Sequence, residues 1–224
     1  MKDYANAHTA TEDAASFARS RLSEKRYDHT LRVADTAAVL ARVHGLDEDR
    51  ARLSALIHDA ARETEPEEFL RLAEEWNLPV GEPERQSPKL LHGPVAAELA
   101  RRELGVRDEE VLESVRAHTT AKPGMGPLAL TLYVADKIEP ARDYPSVERL
   151  RKLAREDLYT AATESLRRAI AHNEGRGKDV HPSSRAALEW LESDHTPQGR
   201  IEQQQGIKRE GERQEGHANL DGTA

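Results

Sequence analysis

The sequence predicts an all-α, single-domain protein, and three observations carry that prediction. Ala, Leu, Arg and Glu dominate a chain with 33% charged, 37% hydrophobic and only 4% aromatic residues, a composition that favours helix over sheet. The apolar period is helical from Ala14 to Leu191, and no alternating strand pattern survives. At 224 residues the chain can bury one core of good size. Residues 1–24 form an N-terminal extension with a helix, 25–193 the main domain, and 194–224 a polar tail.

Thr11 reads as an N-cap before the stripe Ala14, Phe17, Ala18, Leu22. A second helix runs from Tyr27 to Gly45 on the stripe Val33, Ala37, Leu40 and Val43 or His44. One turn back on that face lies His29, with Arg26 three residues earlier. The third helix, Asp47 to Arg62, is small and apolar on nearly every side, yet it contains His58-Asp59. A buried carboxylate is costly unless it is paired or ligated. Thr64-Glu65-Pro66-Glu67 has capping-box spacing ahead of an amphipathic helix through Trp76, and 77–91 reads as a loop.

Pro94 and Gly105 bracket the next helix, with His92 just ahead of its N-terminus. Asp108 caps a helix whose stripe Val111, Val115, His118 again ends on a histidine, and 119–126 is a loop. Pro127 opens a largely apolar helix to Ile138 that contains Asp136. One long helix follows on Val147, Leu150, Leu153, Ala154, Leu158, Ala161, Leu166 and Ile170. His181-Pro182-Ser183-Ser184 introduces a last helix through Leu191. From about Asp194 the chain is rich in Gln, Glu, Gly and Arg, too polar to offset its ordering entropy, and disorder is expected there.

With no cysteine, the chain holds no disulfide framework, zinc ribbon or thiol nucleophile, and any metal must be held by His and carboxylate. No apolar run reaches bilayer-spanning length and the first residues lack a signal pattern, so a soluble cytoplasmic protein is expected. A net charge of −8 argues against a broad nucleic-acid surface, and an anionic substrate would need local help from metal or arginine. His29, His58, Asp59, His92, His118 and Asp136 are hard or borderline ligands that suit octahedral iron or manganese better than tetrahedral zinc. A lone inward-facing histidine is more often a bonded core residue. Two aspartates in apolar helices tip the set toward metal.

The order His29, His58-Asp59, His92, His118, Asp136 resembles that of the HD-domain metal-dependent phosphohydrolases, which are all-helical bundles. Arg26-Tyr27-Asp28-His29-Thr30, Leu56-Ile57-His58-Asp59, Leu91-His92-Gly93-Pro94-Val95, Ala117-His118-Thr119-Thr120 and the run Tyr133 to Arg142 narrow it further. They are similar to the YqeK-type symmetrical diadenosine tetraphosphate hydrolases of bacteria, over roughly residues 20–192. That resemblance implies hydrolysis of diadenosine tetraphosphate to two ADP, with water activated by the metal attacking a phosphate. His29, His58, Asp59 and Asp136 would hold one iron ion, or manganese or another divalent metal. His92 and His118 would meet the phosphates or complete a second metal site.

The resemblance also makes Asp59, His92 and His118 the catalytic residues. Arg26, Asp59, Arg62, His92, His118, Asp136, Arg142, His181, Ser184 and Arg185 would bind the nucleotide. Lys137 is either a phosphate contact or a surface charge. Glu139 either orients a ligand or ends its helix before Pro140. Expected partners are a dinucleoside polyphosphate and ADP, with no nucleic acid or membrane, and a homodimer stays open. The Gly-Tyr-Pro signature of cyclic-dinucleotide phosphodiesterases is missing, and Arg62-Glu63 stands where stringent-response hydrolases carry Glu-Asp. A nucleotidase acting on another nucleotide, and a metal- and nucleotide-binding sensor without turnover, are the alternatives.

Overall fold

The computed structural model describes residues 7–194, and all regular structure among them is helical. Eleven α-helices follow in order: α1 Ala7–Arg21, α2 Glu24–Val43, α3 Glu48–Ile57, α4 Pro66–Glu75, α5 Glu82–Gln86, α6 His92–Leu99, α7 Glu109–Ala117, α8 Pro127–Ile138, α9 Val147–Glu156, α10 Leu158–Glu174 and α11 Pro182–Asp194. A 3₁₀ turn, Pro88–Leu91, leads into α6, and a π turn, Ala100–Leu104, closes it. Gly105 then takes φ 75°, where a side chain would be strained. The tail expected beyond Asp194 lies outside the described residues. No helix among them is long and apolar enough to cross a membrane.

The bundle is built around α8. From Leu128 to Ile138 every residue except Lys137 is buried, as an apolar-all-round helix must be. α8 packs against α2, α3, α7, α9 and α10, while α1 covers α2 and α3, and α11 lies on α10. Tyr133, Phe69, Ile57, Leu91, Leu112 and Leu130 are among the largest fully buried side chains.

Several expected boundaries move. α1 begins at Ala7, so Thr11 sits inside it and is no cap. The C-terminal choice on α2 resolves to His44, whose Nε2 lies 2.7 Å from the Ala154 carbonyl, while Val43 is exposed. α3 stops at Ile57 instead of Arg62; residues 58–64 coil more tightly through Ala60 N to Ile57 O, Arg62 N to Asp59 O and Thr64 N to Ala61 O. The expected box at Thr64 does not form, since Glu65 is the N-cap of α4 and makes no side-chain cap bond. The loop at 77–91 contains α5. The long helix after Val147 breaks at Asp157, whose carboxylate accepts from Tyr159 N and Thr160 N and starts α10.

Asp108 caps α7 as expected, accepting from Glu110 N and Val111 N, and Arg50 donates to it twice at 2.7 Å. These contacts tie α3 to α7. Asp108→Ala should cost about 1 kcal/mol and lower Tm by roughly 2–4 °C in a chain of this size. Calorimetry checks it; an unchanged Tm would mean that Arg50 finds another acid at no loss.

Candidate metal centre

Six predicted ligands converge at one end of the bundle, each delivered by a helix end or a buried helix face. His58 is the C-cap of α3, His92 is the first residue of α6, and His118 is the C-cap of α7. At each, ring Nδ1 lies against the carbonyl three residues back: Ala55 at 2.6 Å, Lys89 at 2.6 Å and Val115 at 2.7 Å. A carbonyl only accepts, so Nδ1 carries the proton and each Nε2 keeps its lone pair. His29 is held through a side chain instead, with Nδ1 3.2 Å from Glu139 Oε1.

Two electron-rich contacts result. His29 Nε2 lies 3.1 Å from Asp136 Oδ1, and His92 Nε2 lies 3.0 Å from His118 Nε2. Lone pairs at that separation repel unless a proton or a metal cation lies between them. Asp59 divides its carboxylate between the two pairs. Oδ2 faces His58 at 3.6 Å and His29 at 4.0 Å, and Oδ1 faces His92 at 3.4 Å and His118 at 3.8 Å. His58 Nε2 is buried without a hydrogen-bond partner. Ligand atoms of His29, His58 and Asp136, and of His58, Asp59 and His118, lie within 4.8 Å of one another. An orphaned ring nitrogen and two buried carboxylates fit a divalent ion.

A family model described as "HD domain" matches residues 26–141. The chain belongs to the HD-domain family. It is 37% identical to a Bacillus subtilis protein named "Bis(5'-nucleosyl)-tetraphosphatase, symmetrical", over 81% of this chain and 97% of that one. A Halalkalibacterium halodurans protein of the same name is 35% identical over 80% and 95% of the two chains. Among solved structures, a Clostridium acetobutylicum protein described as a "predicted HD superfamily hydrolase involved in NAD metabolism" matches with TM-score 0.79 and 33% identity. That match covers 86% of this chain and 98% of its own. HD domains are metal-dependent hydrolases, and the centre described here lies in the matched region.

The electrostatics of the HD centre follow from burial set against close charges. Burial pushes His58 down to about 4, so it is neutral at ordinary pH, as a ligand must be. Burial also lowers His118, against the pull of the nearby Asp59 carboxylate. For Asp59, burial acts upward but is outweighed by His58 and by the close rings of His118 and His92, and it stays well below the usual carboxylate range. Asp136 behaves alike: burial is outweighed by Lys137, His29, His58 and Arg142.

A cationic rim surrounds the HD ligands. Arg26 Nη1 lies 3.5 Å from Asp59 Oδ2, Arg142 Nη2 2.9 Å from Asp136 Oδ1, and Arg62 Nη1 3.2 Å from His92 Nδ1. The 181–185 segment reaches the rim indirectly. Ser184 Oγ donates to Thr120 O, next to His118-Thr119, whereas His181 Nε2 meets Glu84 at 2.9 Å and Arg185 donates to Glu174 at 2.8 Å.

Sequence reasoning undervalued Glu139, which is 2% exposed. Its Oε1 meets His29, and its Oε2 accepts from Arg32 Nε at 2.7 Å and Ala141 N at 2.8 Å. The available signal was its position one turn after Asp136 in the same apolar helix. Gly93 was also missed. A Cβ there would lie 2.8 Å from Val115 O and 3.2 Å from His118 Nδ1, so only glycine lets α6 approach α7 this closely.

Proposed function

We propose that this protein hydrolyses diadenosine tetraphosphate symmetrically to two ADP, with iron, or manganese or another divalent ion, held by His29, His58, Asp59 and Asp136. The observation that carries the reading is coverage: relatives named for that activity align over nearly their whole length, and the ligand set lies inside the HD-domain match at 26–141. A cytoplasmic location belongs to the same reading.

The bound metal would supply Lewis acidity and a water nucleophile near neutral pH. This chain's residues supply the rest. Arg26, Arg62 and Arg142 form a fork of guanidinium groups suited to phosphate oxygens, offsetting the net negative charge of the chain. Arg26 and Arg142 now rest on Asp59 and Asp136, so a polyphosphate would replace acid partners they already have. His92 and His118, with unprotonated Nε2 atoms beside Asp59 and within reach of Thr119 Oγ1, can take a proton from water or meet a second ion. In the balanced reaction, water oxygen bonds to one phosphorus of the central bridge. The bridging oxygen departs on the other half, and each half is ADP.

The test is to incubate the purified, iron- or manganese-loaded protein with diadenosine tetraphosphate and resolve the products by chromatography. ADP alone is expected. ATP plus AMP would overturn the symmetrical assignment, and metal and nucleotide binding without turnover would favour the sensor.

Glu139 gives a second test. Glu139→Gln keeps its shape but removes the charge that orients and polarises His29. Metal affinity should fall about tenfold to a hundredfold, read by equilibrium dialysis with metal analysis. Unchanged affinity would reduce Glu139 to a holder of Arg32 and the Ala141 turn.

A further inference from the structure

Symmetrical cleavage sets a geometric demand. The central bridge of a dinucleoside tetraphosphate is equally far from its two nucleosides. A centre that acts there must therefore have room for a nucleoside diphosphate on each side. The rim at Arg26, Arg62 and His92 would serve one side, where Ser184 is tied to Thr120 O beside His118-Thr119. The other half needs its own place.

We propose that the cavity between α8 and α10, lined by Lys137, Tyr144, Ser165, Arg168, Ala169 and His172, receives the second nucleoside end of the substrate. This rests on the dinucleotide reading above.

Lys137 connects the two places. Its Nζ lies 2.5 Å from Asp136 Oδ2 at the metal centre, and the same side chain lines the cavity. A phosphate chain that follows Lys137 away from the centre would run toward the cavity. In a chain of net charge −8, no acidic residue lines this cavity, while Lys137, Arg168 and His172 do. The acids nearby on α10 are engaged elsewhere: Glu164 with Arg149 and Arg167, and Glu174 with Arg185.

The walls suit a purine. Tyr144 is fixed by its hydroxyl, which donates to Lys137 O at 2.8 Å. The Arg168 guanidinium stacks 4.1 Å from the ring centre and donates to Pro145 O and Ser146 Oγ. Aromatic rings and guanidinium planes are the surfaces on which bases stack. Ser165 turns its hydroxyl back to Ala161 O, so it and Ala169 leave a small-residue floor. The volume is 260 Å³. Sites that enclose a whole drug-sized ligand span about 300–1,000 Å³, so this cavity fits one end of a longer molecule.

The test uses the full-length, manganese-loaded chain and ADP as the probe. Calorimetry should find two ADP per wild-type chain and one in Arg168→Glu. In the same variant KM for diadenosine tetraphosphate should rise about tenfold or more, with kcat little changed, because binding away from the reacting bridge is removed. His172→Ala, on an exposed side chain, should raise KM in the same direction and stands in if the charge reversal impairs folding. One ADP per wild-type chain, or an unchanged KM in both variants, would overturn the proposal while leaving symmetrical hydrolysis intact. Conversely, if the wild type turns over no diadenosine tetraphosphate with any metal, the dinucleotide reading falls. Loss of one ADP in Arg168→Glu would still establish the cavity as a nucleotide site.

Discussion

Asp59→Asn should strip the centre of metal and abolish turnover. Its two oxygens face different histidine pairs, His29 with His58 and His92 with His118, so no other carboxylate can take over both contacts. Asparagine keeps the volume but replaces an anionic ligand oxygen with a neutral amide. Outer-shell losses already cost metal sites about tenfold to a hundredfold in affinity, so removing this shared ligand should cost at least that. Metal analysis after gel filtration checks the result: a stoichiometric ion in wild type and none in the variant. The fold should persist, because asparagine matches the shape of the buried side chain and leaves no cavity. Full metal occupancy in Asp59→Asn would remove Asp59 from the ligand set.

Gly93→Ala should be the most damaging alanine substitution among the described glycines. The new Cβ would meet two backbone carbonyls, Val115 O at 2.8 Å and Arg116 O at 3.2 Å, neither of which can rotate away. Overpacking of this kind costs about 1–3 kcal/mol, which lowers Tm by several degrees. The second effect is chemical. α6 and α7 carry His92 and His118 at the contact point, and forcing the helices apart opens their 3.0 Å approach. Activity should therefore fall further than stability, even well below Tm. A stable variant with wild-type turnover would show that the His92–His118 spacing is not needed.

What the sequence revealed depended on whether a feature is local. The helix periods and the six converging His and Asp side chains were legible because apolar spacing and buried charge both register along the chain. Caps were legible where the acid had no rival, as at Asp108, and misleading at Thr11 and Thr64, where tertiary packing starts the helices elsewhere. The break at Asp157 was hidden because the apolar stripe continues in phase on both sides of it. Glu139 was legible as a residue that could orient a ligand, but its partner His29 lies 110 residues away and Gly93 meets carbonyls about twenty residues on, and no spacing rule names such partners. The substrate came from motif resemblance, since the centre's geometry alone specifies only a metal and an anion.

The backbone bonds of His58, His92 and His118 bear on the metal-free protein. Rings anchored to the carbonyl of their own preceding turn are aimed before any ion arrives. Loading should then proceed without rearrangement, leaving helicity and melting cooperativity almost as they were. His29 differs, because a side chain from a distant helix end holds its ring. Among the four histidines it is the adjustable one, and exchange of one metal radius for another should be absorbed there.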